Sequence, residues 1–129
     1  MATISKYPEV AIGDMQVKNQ RGEDKPVEKG MRGVLFRTIL DSAGFDVSRP
    51  KELNGLYLLL IASDGYKNVY SWNELFNDTL GDHVFIVTEK EGRRMEQVDG
   101  GILVICTADI NTGRRHLKGL KEVKVKMAD

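Results

Sequence analysis

NGLYLLLIASDGYKNVYSWNELF, residues 54–76, is the stretch that decides the fold. Asn54-Gly55 is a turn pair. Leu56 to Ala62 then runs apolar at every position, which predicts a strand inside a sheet with both faces covered. Ser63-Asp64-Gly65 turns the chain, and Lys67 to Tyr70 returns as a second strand. Ser71-Trp72-Asn73-Glu74 has the spacing of a capping box and predicts a short helix through Phe76 or Asn77.

Working outward, Gly30 to Gly44 reads as the clearest helix, with Val34, Leu35, Thr38, Ile39 and Ser42 on one face. Gly44 stands at the C-cap position, with Phe45 after it. Ser48-Arg49-Pro50 marks a loop. Upstream, Val10, Ile12, Met15 and Val17 alternate around Gly13-Asp14, as in a bent strand or hairpin, and residues 1 to 7 read as loose. Asn19 to Lys29 is a charged, exposed loop. Downstream, His83 to Thr88 alternates Val84 and Ile86 against Phe85 and Val87, and Glu89 to Gly92 is a charged hairpin tip. Gly100-Gly101 leads into Ile102 to Cys106, a second strand apolar on both faces. Arg114 to Leu120 is basic, with room for one helical turn, and Glu122 to Met127 alternates as a half-exposed last strand. The expectation is one α+β domain over 1–129, mostly β, with one main helix and short helical turns.

The chain has 129 residues, 41% hydrophobic and 29% charged, a globular and not a disordered composition. Lys+Arg and Asp+Glu are both 19, so there is no overall basic field for nucleic acid or an acidic membrane. The seven apolar residues from Leu56 to Ala62 are far fewer than the ~20 of a membrane-spanning helix. The first ten residues lack an apolar signal core, so the expectation is a soluble chain, exported or periplasmic if a leader was trimmed. One cysteine and two separated histidines exclude an internal disulfide and argue against a metal centre, so no metal ligand is assigned.

Cys106, between apolar neighbours on a strand, reads as core filler. His83 reads as a solvated turn histidine. Glu74 and Asp64 have local work as a cap and a turn residue. The remaining concentration of chemistry is Gly113-Arg114-Arg115-His116-Leu117-Lys118. Arginine forks and lysine ammoniums bind phosphate, so this segment is either a site for a small anion or a solvated basic loop balancing Glu89, Glu91, Glu96 and Asp99. Catalytic residues are not assignable: no dinucleotide, phosphate-loop, nucleophile-elbow or zinc motif occurs.

The order of these segments resembles a known family. Gly33 to Gly44 resembles the "G-x-x-L-x-x-L-L-x-x-A-G" helix of the molybdopterin-binding domain of sulfite-oxidase-like oxidoreductases. Ala62-Ser63-Asp64-Gly65-Tyr66 is similar to its "A-x-D-G-Y" turn, and Val69 to Leu75 to its following strand and short helix. Asp99-Gly100-Gly101 falls where the family has a Gly- and Pro-containing segment. Gly113 to Leu120, with Val123 and Val125, resembles its "G-A-R-x-V-K-W-L" motif and closing strand. The resemblance spans about 8–127 and corresponds to the C-terminal portion of the family domain. It implies that fold, molybdopterin as cofactor, and Arg115 and Lys118, with His116 between them, as the residues against the pterin. If the chain is an enzyme, the resemblance makes it a molybdenum-dependent oxidoreductase. The family's metal-ligating cysteine, however, precedes the helix, and no cysteine stands there; Gly119 replaces the tryptophan. The expectation is a minimal molybdopterin-binding-type domain that holds a pterin phosphate or other small anion. Arg115 would then be a surface residue with little weight in stability. The alternative is a non-catalytic interaction or scaffold domain that kept the fold and lost the site.

Overall fold

A computed structural model of the chain describes residues 7–45, 47, 49–95 and 101–128. Of the stretch 1–7 expected to be loose, residues 1–6 lie outside the described residues, as do Ser48, Glu96 and Asp99-Gly100. Strands dominate what is described, and the architecture is α+β and mostly β.

The first strand, β1 (Val10–Met15), is bent: its pairing with β2 (Glu28–Leu35) slips on both sides of Gly13. The helix expected from Gly30 begins only at Phe36, as α1 (Phe36–Ala43). Residues 30–35 belong instead to β2, hydrogen-bonded between β1 and β5 (Val84–Lys90). Two features override the helical spacing. Met31 and Val34 are buried on a strand whose Gly30 has a positive φ of 59°. At Gly33 a Cβ would collide with the Ile86 carbonyl of the neighbouring strand. Glycine is also a poor helix former. The helix does end as read, with the Gly44 N–H donating to the Leu40 and Asp41 carbonyls.

A 3₁₀ turn (Pro50–Gly55) leads into β3 (Leu56–Ala62), which forms a hairpin with β4 (Lys67–Ser71). The capping box is present. Ser71 Oγ accepts from the Glu74 N–H at 3.0 Å, Glu74 Oε1 accepts from the Ser71 N–H at 2.8 Å, and α2 (Trp72–Phe76) follows. After β5 come the short β6 (Arg93–Arg94), then β7 (Leu103–Cys106), β8 (Leu117–Lys118) and β9 (Leu120–Met127). The basic segment expected to hold a helical turn forms a turn over 112–115 and then β8.

All pairings are antiparallel. One sheet has the order β1-β2-β5-β7-β8, with β6 on β5; the other is β4-β3-β9. One core lies between the sheets and the helices, and includes Phe36, Leu58, Leu60, Tyr70, Leu75, Val84, Ile86, Val104, Cys106 and Leu117. The second, on the opposite face of the larger sheet, gathers Met15, Val17, Met31, Phe85, Val87, Met95, Leu103 and Ile105. Successive residues of β5 and β7 alternate between the two cores, as strand geometry requires. The chain crosses from β8 in one sheet to β9 in the other at Gly119, whose φ is 76°. There the Gly119 N–H donates to the Ile102 carbonyl, and its own carbonyl accepts from the Ser63 N–H.

Candidate functional site

The three residues expected to act together face different surroundings. The Arg115 guanidinium is held on both sides. Its Nε and Nη2 donate to the two Asp109 carboxylate oxygens at 3.0 and 2.7 Å, a bidentate fork. Nη1 reaches Glu74 Oε2 and the Val69 carbonyl, each at 3.3 Å. The fork lies 4.3 Å from the centre of the buried Tyr70 ring, a cation–π contact. Burial alone would loosen its proton; the Asp109 hydrogen bond and the surrounding negative groups more than reverse that. With a side chain only 20% exposed, Arg115 is a built-in structural arginine and not the surface residue expected from the sequence.

His116 and Lys118 face the other way, into a cleft of about 280 Å³. One wall is the loop Val17 to Gln20 with Lys25. Asp64 and Tyr66 of the β3–β4 turn form another, and Gly113, His116 and Lys118 close it. Hydrogen bonds assemble these walls. Thr112 Oγ1 accepts from the Lys18 N–H and donates to the Gln16 carbonyl, both at 3.0 Å. At Gly113 a Cβ would strike the Lys18 carbonyl, so glycine lets the two segments touch. Tyr66 Oη donates to the Arg114 carbonyl at 2.5 Å and accepts from Gln20 Nε2 at 3.0 Å, and Asp64 Oδ1 accepts from the Tyr66 N–H.

The cleft is cationic. Lys18, Lys25 and Lys118 line it against one carboxylate, Asp64. Lys18 is paired with Asp24 at 2.6 Å; Lys25 and Lys118 are exposed and make no ion pair among the described residues. The His116 side chain is 5% exposed, with Nε2 3.8 Å from Glu28 Oε1 and no hydrogen-bond partner. Burial pushes its pKa down to about 4; Glu28 opposes this, and Lys118, Lys25 and Lys90 add to it. The imidazole is therefore neutral near pH 7. The cleft thus gathers two ammoniums without ion-pair partners among the described residues, amide side chains and a neutral imidazole.

Cys106 is 1% exposed in the inter-sheet core, and burial pushes its thiol up to about 11, as core filler should be. His83 is exposed and bonded through Nδ1 to Thr107 Oγ1 at 3.2 Å. Among the described residues no three His, Cys, Asp or Glu side chains gather as a metal-binding group, and no helix is long and apolar enough to cross a membrane. Lys18, Gln20 and Lys25 carry no local signal of a site: they sit in or beside 19–29, whose charge and turn residues read as a plain exposed loop. Their role depends on Thr112 and Gly113, more than 85 residues away, and no local pattern carries that pairing. No protein-family model matches the chain, and no curated protein matches it.

Proposed function

We propose that the chain is a minimal molybdopterin-binding-type domain whose cleft takes a small phosphate-bearing anion. A pterin phosphate is the ligand class to which the sequence resemblance points. One observation carries the reading: Lys25 and Lys118, exposed and without carboxylate partners among the described residues, line the same cleft as the neutral His116. Lys25 and Lys118 supply charge, while Asn19, Gln20 and Tyr66 offer polar edges and one ring face.

The cations of this cleft support the phosphate end of a pterin cofactor, whereas the chain's one thiol does not suit its metal end. The single thiol lies in the inter-sheet core and resists ionisation, whereas a metal ligand must be a thiolate. The reading is therefore one of binding, and no oxidoreductase step is derived. A second reading, a non-catalytic scaffold that kept the fold, draws on Arg115. The residue matched to the pterin contact already has its fork on Asp109.

Calorimetric titration with inorganic phosphate and with a reduced pterin phosphate, at two salt concentrations, separates the readings. Binding should weaken as salt rises. Lys25→Ala and Lys118→Ala should each cost about 1.5–3 kcal/mol of affinity, the range for a hydrogen bond to a charged group. Absence of binding to the wild type, at low salt and millimolar ligand, would leave the scaffold reading.

A further inference from the structure

β3 is apolar at all seven positions, Leu56 to Ala62, as a strand covered on both faces should be. Against that expectation, only one of its faces is covered by a core among the described residues. Leu56, Leu58, Leu60 and Ala62 enter the inter-sheet core, whereas Tyr57, Leu59 and Ile61 belong to neither core and remain partly exposed. Cross-strand register completes that outer face. Tyr57 lies between Ser71 and Lys126, Leu59 between Val69 and Lys124, and Ile61 between Lys67 and Glu122. Val69 is 50% exposed. The result is an apolar spine along β3, extended sideways at Val69. Three lysines border it against one carboxylate.

We infer that this outer face is a docking surface for an amphipathic helix of a partner protein whose apolar stripe is edged by Asp or Glu. The spine supplies apolar area, and Lys67, Lys124 and Lys126 supply the charge that carboxylates on the helix would meet. A seven-residue strand spans roughly 23 Å, the length of a helix of about 15 residues. Charge argues against a second copy, since two such faces would oppose lysine rows with only Glu122 of each to offset them. Partial burial argues against a lipid surface, because Tyr57, Leu59 and Ile61 are only partly exposed and Val69 alone of this spine is half exposed.

The test uses the full chain and two synthetic helices of about 16 residues. Both carry the same leucine stripe, edged by Glu in one and by Lys in the other. Binding is followed by amide chemical shifts, and the charge-reversed Lys124→Glu/Lys126→Glu variant is run beside the wild type. Both lysines are exposed, so the variant should keep the wild-type circular dichroism. The expected result is that the Glu-edged helix binds the wild type on the order of tenfold more tightly than the Lys-edged one, with the preference inverted in the variant. Shifts should centre on β3, β4 and β9. Several results would each overturn the inference: no binding of either helix at millimolar concentration, equal binding of both, shifts away from this sheet, concentration-dependent self-association through these residues, or binding to anionic vesicles in place of the helices.

Discussion

Burial and neighbouring cations act together on His116, and the consequence can be measured in the stability of the fold. In the unfolded chain the imidazole titrates near 6.5; in the fold, burial first and then Lys118, Lys25 and Lys90 bring it to about 4 against the pull of Glu28. Above pH 6.5 both states are neutral and the group contributes nothing. As pH falls from 6.5 towards 4 the unfolded chain takes the proton first, so stability is lost, by up to about 3 kcal/mol. Urea unfolding at pH 7 and pH 4.5 should show this loss in the wild type and a smaller one in His116→Gln. Arg115 gives the opposite kind of prediction. Its removal strands Asp109, whose side chain is 13% exposed, and uncovers the Tyr70 ring. Arg115→Ala should therefore cost about 2–4 kcal/mol in a thermal or urea melt. Arg115→Lys should recover only part of it, since an ammonium cannot reproduce the fork.

At the scale of elements, the cleft depends on how closely two distant segments approach. Gly113 touches the Lys18 backbone and Thr112 bridges Gln16 and Lys18. Gly113→Ala should push these segments apart, lowering stability by about 1–3 kcal/mol and weakening anion binding in the same variant; melts and phosphate titration measure the two effects. The elements that could be read from sequence are those set by neighbouring residues. The β3–β4 hairpin follows from an apolar run and an Asp-Gly turn, α2 from its capping box, and β5 from its alternation. The start of α1 could not be read this way. Gly30 to Leu35 has helical spacing, yet pairing with β1 and β5 holds it as strand, and pairing is a long-range property. For the same reason Arg115, His116 and Lys118 looked like one cluster. The turn over 112–115 and the strand β8 send Arg115 towards Asp109 and its two companions towards the cleft.

Across the whole molecule, two sheets meet where β8 passes to β9 at Gly119, and the cleft opens beside that crossing. The larger sheet places His116 and Lys118, the β3–β4 turn places Asp64 and Tyr66, and the long N-terminal loop brings Lys18, Gln20 and Lys25. The central claim is that an anion enters among these groups, beside His116. The chain has only two histidines, and His83 stands apart on the surface with Thr107, so imidazole NMR reports on each separately. An anion beside His116 offsets part of the field of Lys25 and Lys118 and favours the charged ring. Phosphate titrated at low salt should shift the His116 ring signals, leave those of His83 in place, and raise the His116 midpoint from about 4. A His116 signal and midpoint unchanged at saturating phosphate would contradict the account.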